Sequence, residues 1–368
     1  MKKIVLFAAV VCGLCGCVKS ETVIPESEQH REIAFKPFNT KDAMRAPIDG
    51  TKLPDDARLG VFAYYNGTKV QEYLKDVIFG KKEGTDNTWA GVDKNGNSRP
   101  YYWPTSGTLD FFAYHPWFEG EQIKVVDQNN EIIGFAGEAI DITDSQYDLM
   151  YTDLLIGRTA ADAGTTGIAM TMHHALTQVV VNIKKTAETP KLVVTNVTLN
   201  NVFLKADGFS CWYIPDDTNN TIKKASVYWN WNVTDPGDYR TAAFAMPNVQ
   251  TDATTEAGKA GMKITTDLKQ YGDGALIIPY PYAGVGNHNL YECQTSITIE
   301  YTFDNGGVES EVVHTIDLNA GITDVNNKAT WEIAKKYTYN ITIGLNEILF
   351  EPKVDEWQEE AGKNLTIE

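Results

Sequence analysis

Along this chain apolar and polar residues alternate one by one, in short runs broken by Gly, Asn, Asp and Pro. Successive side chains of a strand point to opposite faces, so each such run describes a strand with one buried and one wet face. The clearest is 337–345, where Tyr337, Tyr339, Ile341, Ile343 and Leu345 share one face and Thr338, Asn340 and Thr342 the other. Runs of the same kind cover 33–38, 59–65, 109–114, 175–183, 275–278 and 296–303. Hairpin chemistry joins several of them. Asp304-Asn305-Gly306-Gly307 separates 295–303 from 308–318, with glycines to supply the positive φ such a turn needs. Asp127-Gln128-Asn129-Asn130 sits between 123–126 and 132–135, and 93–97 reads as a third turn. Helical period is weak throughout; 71–79 is the one short helix candidate. Many short strands at this spacing predict an all-β chain of sandwich or barrel type.

The first residues break the pattern. MKKIVLFAAVVCGLCGC has a basic start, an apolar stretch too short to span a bilayer, and the close Leu14-Cys15-Gly16-Cys17. This resembles a bacterial lipobox, with Cys15 a departure from the usual Ala or Ser. It predicts a signal peptide at 1–16 and lipidation of Cys17; multiple acyl chains on one residue hold a protein stably on a membrane. Residues 17–31 read as a polar tether. Cys12 and Cys15 match a redox spacing, but they lie in the leader. After processing, Cys211 and Cys293 remain, either as two buried thiols or as a disulfide.

Lys and Arg total 32 against 49 Asp and Glu, a formal charge of -17. Phosphate backbones need a concentrated basic face, so no nucleic-acid partner is expected. No G-x-S-x-G or H-E-x-x-H occurs. His173 and His174 are neighbours on a predicted strand and diverge, which suits one metal ion poorly. Asp93-Lys94-Asn95-Gly96-Asn97 has Gly at the fourth position of a would-be calcium loop and lacks the closing Glu, so it reads as a turn. Asp141, Asp144 and Asp148 could line a calcium site but fit a solvated loop. No catalytic residue, cofactor or metal is expected. Trp229 and Trp231 would share a strand face, as a sugar-stacking platform would, or fill a core. The small-residue stretch 160–167 marks the internal boundary, dividing the folded chain into 32–165 and 166–368.

Several segments, in order, are similar to one family. They are the lipobox at Cys17, Leu59-Gly60-Val61-Phe62-Ala63-Tyr64-Tyr65, and Tyr102-Trp103-Pro104 leading to Leu109-Asp110-Phe111-Phe112-Ala113-Tyr114-His115-Pro116. Asp148-Leu149-Met150-Tyr151, His174-Ala175-Leu176-Thr177-Gln178-Val179 and the close from Tyr337 to Trp357 complete the set. Together they resemble the fimbrillins of Bacteroidota, the subunits of type V pili. The resemblance implies two tandem transthyretin-like β-sandwich domains and export to the outer membrane as a lipoprotein. It also implies maturation by a trypsin-like protease that removes the N-terminal strand, and assembly with other pilus subunits by strand addition. On this chain Ile33, Phe35 and Phe38 make the removable strand and Arg45 the cleavage site, with Lys41 and Arg58 as rivals. The C-terminal run with Ile348, Phe350, Val354 and Trp357 is a donor or closing strand. A surface or host ligand, glycan or protein, is open. The alternative is a surface lipoprotein that binds glycans through Trp229 and Trp231.

Overall fold

A computed structural model of the chain describes residues 31–39, 52–66, 70–120, 123–128, 131–214, 224–232, 240–279, 294–304, 306–318, 331–344, 348–356 and 363–364. Every regular element among them is a strand. In chain order these begin with β1 (Ala34–Asn39), β2 (Arg58–Asn66), β3 (Val70–Lys81), β4 (Trp89–Gly91), β5 (Leu109–His115), β6 (Ile123–Gln128) and β7 (Glu131–Gly137). They continue with β8 (Ile140–Asp141), β9 (Met150–Thr152), β10 (Leu154–Arg158), β11 (Ile168–His174), β12 (Thr177–Lys185), β13 (Leu192–Asn200) and β14 (Val202–Phe203). Next come β15 (Lys205–Ala206), β16 (Gly208–Ile214), β17 (Lys224–Asn232), β18 (Arg240–Thr241), β19 (Phe244–Ala245), β20 (Ala253–Thr254) and β21 (Ala260–Ile264). The last are β22 (Lys269–Gln270), β23 (Ala275–Ile277), β24 (Ser296–Asp304), β25 (Glu309–Asp317), β26 (Lys335–Ile343), β27 (Ile348–Glu356) and β28 (Lys363–Asn364).

The first sheet runs β2-β3-β4-β1-β11-β9-β5-β10-β17-β16-β7-β6, and β2 also pairs with β5. That extra pairing closes β2, β3, β4, β1, β11, β9 and β5 into a ring. Closure removes the free edges that an open sheet would expose. Inside lie Ile33, Phe35, Leu59, Val61, Phe79, Trp89, Phe111 and Met170, all buried. The hairpins β6/β7 and β16/β17 extend outward from β10.

Residues 71–79 are not helical. They belong to β3, and a bulge explains the misleading period. Val61 pairs with Val77 and Ala63 with Leu74, so Lys75 and Asp76 together oppose Phe62. The extra residue sets Leu74 and Val77, which share the ring's interior face, three apart, which imitates one helical turn.

Beyond Ala175 the chain builds two further sheets, β22-β12-β26-β27-β28 with β23 on β12, and β20-β21-β13-β24-β25 with β19 on β13. Val179, Val181, Ile341 and Ile343 of the first share one core with Val194, Leu199, Ile297 and Ile299 of the second, which makes a sandwich. The predicted hairpins at 304–307 and 127–130 join β24 to β25 and β6 to β7. At 93–97, Asp93 N–H donates to the Asn97 carbonyl (2.8 Å), a turn as expected.

Residues 160–167 are a connection between β10 and β11, yet β11 pairs with β1 and β9 of the first sheet. The chain changes sheet at Ala175-Leu176. An aromatic path leads there: Phe62 stacks on Phe112 (4.7 Å), Phe112 on Phe135 (4.8 Å), and edge contacts follow to Phe209 (6.3 Å) and Trp231 (5.8 Å). The Trp231 indole N–H then donates to the Ala175 carbonyl at 3.0 Å.

Candidate functional site

The predicted removable strand, β1, is one strand of the ring itself, between β4 and β11. Along one side Phe35 to Asn39 run parallel to β11, Phe35 beside Ile168 and Asn39 beside Met172. Along the other, Ala34 and Phe35 pair antiparallel with Ala90 and Trp89 of β4. The approach is also held. Ile33 N–H donates to the Tyr101 carbonyl (2.7 Å), and Trp103 N–H donates to the Arg31 carbonyl (2.9 Å). Lys82 pairs with Glu32 at 2.8 Å.

β4 is short, and its ladder to β1 ends at Phe35. There the Asn87 side chain replaces it. Its Nδ2 donates to the Pro37 carbonyl at 2.6 Å, and its Oδ1 accepts the Trp89 indole N–H at 2.9 Å. Asn87 is 6% exposed, so both bonds are made out of water. A residue's N–H and C=O leave a strand on the same side. The N–H that Pro37 lacks therefore falls on the side where β4 has already stopped, and a proline is tolerated in a central strand.

Ile33, Phe35 and Pro37 are the buried positions of this segment and Lys36 is exposed. The Phe35 ring meets Phe79 and Phe111 edge-on, each at 5.1 Å, and Trp103 closes over Phe111 at 5.5 Å. The third buried position is thus Pro37. Phe38 pairs with Thr171 through its backbone, and its side chain lies outside the described residues. Gly167, just before β11, has φ +102, and a Cβ there would meet the Ala34 carbonyl at 2.7 Å and Phe35 N at 2.8 Å. Only glycine lets β11 come this close to β1. Asn87, Pro37 and Gly167 escaped sequence reasoning, because a polar residue in a turn, a proline and a loop glycine carry no periodic signal.

Cys17, Lys41, Arg45 and Trp357 lie outside the described residues. Arg58 opens β2, pairs with Gly80, and gives its guanidinium to the Asp56 and Ala57 carbonyls at 3.0 and 2.9 Å. Ile348, Phe350 and Val354 sit on β27, where Ile343, Ile341 and Tyr337 of β26 oppose them; their side chains are outside the described set. β28 pairs with the far side of β27. The N- and C-terminal candidates therefore occupy different sheets.

The sugar-platform reading of Trp231 is overturned: the ring is 2% exposed and its N–H is satisfied by Ala175. The side chains of Trp229 and Cys211, and all of Cys293, lie outside the described residues. His173 and His174 diverge, His173 Nε2 to Asp153 (3.1 Å) and the buried His174 Nδ1 to Asp148 (3.0 Å). Asp141 pairs with Lys205 (2.8 Å) and accepts the Thr143 N–H (3.0 Å), and Asp144 is exposed. Among the described residues no group of three or more His, Cys, Asp or Glu is placed to hold a metal ion.

This all-β fold is shared with a fimbrial protein from Bacteroides vulgatus, which has 14% identity, a TM-score of 0.51, and coverage of 89% of this chain and 99% of that one. A candidate cell adhesion protein from Bacteroides uniformis is similar at 17% identity and TM-score 0.49 over 89% of this chain and 98% of its own. The tip fimbrial protein Mfa3 from Porphyromonas gingivalis, truncated at its C-terminus, has 10% identity and TM-score 0.38 over 89% and 100%. No curated protein matches the chain. A family model described as fimbrillin-like matches residues 45–357, and the chain belongs to this family. β1 precedes the matched stretch.

Proposed function

We propose that this chain is a fimbrial subunit, exported as an outer-membrane lipoprotein on Cys17 and assembled when proteolysis allows its N-terminal strand to be exchanged for a neighbour's. Its role is structural rather than catalytic. The observation that carries this reading is the position of β1, a terminal strand that completes the core of a ring and lies between the lipobox and the basic segment holding Arg45. Cutting after Arg45 severs β1 from the rest of the subunit but leaves it seated by its ladder and by Phe35. Exchange then replaces one filler with another instead of opening an empty groove. Each refilled apolar side chain is worth about 1.5–3 kcal/mol, added to a restored ladder, so the final joint is very stable. Arg58, inside a paired strand, is a poorer protease target than a loop residue. The donor is a strand of the next subunit, either its C-terminal run around Ile348 to Trp357 or its new N-terminus. The two tandem domains belong to the same proposal, with the hairpin β16/β17 returning to the first sheet after the sandwich has begun at β12.

Limited trypsin digestion of the purified chain should give a new N-terminus at Ala46 and, at high protein concentration, oligomers that survive detergent. Arg45→Ala should lose both, provided Lys41 is also replaced. Cleaved protein that stays monomeric would refute strand exchange. Separately, Cys17→Ala should leave unprocessed precursor without palmitate label, and continued labelling would exclude lipidation at Cys17.

A further inference from the structure

We propose that the open pocket walled by the bulge of β3, the turn after β4 and Trp117 binds an acidic saccharide, a sugar ring carrying a carboxylate. The pocket has a volume of about 410 Å³ and its lining includes Lys75, Asp76, Lys94, Arg99, Tyr101 and Trp117. That volume is within the range of small-molecule sites and far exceeds what an inorganic anion fills.

Three cations and two carboxylates, Asp76 and Asp93, line it, on a chain whose overall charge is -17. Both carboxylates are already committed. Asp76 Oδ1 accepts the Tyr114 hydroxyl at 2.7 Å. Asp93 accepts Asn95 N–H, Asn97 N–H and the Asn97 amide, each at 2.9 Å. Lys94 and Arg99 are exposed and form no ion pair among the described residues. These neutral donors hold the carboxylates without cancelling their charge, and three cations against two carboxylates still leave the lining net positive, which favours an anion here on a chain that is otherwise acidic.

The remaining surface selects for a ring. Tyr101 lies under the Arg99 guanidinium at 5.8 Å, and Trp117 adds a second aromatic wall. The Trp117 indole N–H is itself buried, so the residue offers the pocket ring surface and no polar contact. The bulge supplies the shape. Asp76 holds φ +47, a left-handed conformation rare for a residue with a side chain, and bulges next to sites commonly re-aim side chains this way. Arg99 would take the carboxylate, and the apolar face of the ring would lie against the aromatic walls.

The test uses the full purified chain titrated with methyl glucuronide, with methyl glucoside as the neutral twin, and followed by tryptophan fluorescence and ligand-observed NMR. The glucuronide should bind in the millimolar range, weaken on raising salt from 0.1 to 1 M as screening tightens, and leave the glucoside unbound. Arg99→Ala should weaken it about tenfold, the cost of one charge-assisted hydrogen bond. Lys94→Ala, at another exposed position, should weaken it without moving the melting temperature. Equal binding of the glucoside, no binding of the glucuronide, or full competition by equimolar phosphate would each overturn the proposal. None of these outcomes bears on strand exchange, which trypsin and detergent resistance decide.

Discussion

Phe35 ties the chain's most N-terminal described strand to its core. Its ring is wedged between Phe79 and Phe111, so Phe35→Ala should destabilise the protein by about 3–5 kcal/mol and loosen β1, measured by urea unfolding and by the rate at which trypsin-cut protein sheds its N-terminal fragment. An unchanged shedding rate would show that the ladder alone holds the strand. His115 offers a different test. Burial pushes its pKa down, against the raising influence of the Arg58 carbonyl it bonds and of Asp148 and Asp56, while His174 nearby also lowers it. The unfolded chain takes up this proton at about pH 6.5, and the folded one only at a lower pH. Stability from this group is thus intact above about 6.5 and falls as the pH drops through the depressed value. His115→Asn, which can still donate to the Arg58 carbonyl, should flatten the acid side of the stability curve between pH 7.5 and 5.5. At this scale Ile33 and Phe35 were legible because alternation alone places them inside. Trp231 was not, since an aromatic on a strand reads equally well as a platform or as core until its partner, Ala175, is known.

Strand existence was legible at the level of elements wherever period two ran unbroken, as in β26, β12 and β24. It failed at β3, where one extra residue shifted the phase, and a bulge leaves no composition signal. Hairpins were readable from their turn residues. Parallel pairings were not, because β1 with β11 and β12 with β26 join segments with no local link. The groove invites an element-level experiment. After cleavage and removal of the fragment in denaturant, a synthetic peptide of residues 31–39 should rebind the refolded remainder and restore its melting temperature. A peptide with Phe35 replaced by Ser should do so much less well. Equal rescue by both would mean that side-chain burial contributes little to strand selection.

At the scale of the whole molecule, the ring and the sandwich share a continuous apolar core that includes Phe62 and Phe112 of the first and Val179 and Ile299 of the second. Trp231 closes the aromatic path at the sheet change. Trp231→Phe leaves the Ala175 carbonyl without its indole donor, and a lost buried hydrogen bond costs about 1–3 kcal/mol. Calorimetry should then show an earlier transition, separating into two if the junction is what makes the units melt together. An unaltered single transition would place the coupling elsewhere. The small-residue stretch 160–167 connects β10 to β11, both in the first sheet, and its composition alone carried no sign of which strands it joins.

The parallel seat of β1 also dictates a calendar for folding. Phe35 is made early, yet its partner Ile168 follows only after the strands that complete the rest of the ring. Such distant pairing incurs its loop-closure entropy before any contact repays it, which makes it intrinsically slow. A chain emerging from its N-terminus would therefore carry an apolar strand with only its short β4 edge paired until β11 follows. During that interval it is open to capture by other unfolded copies, and a holding chaperone that binds the 33–38 segment would lower this risk.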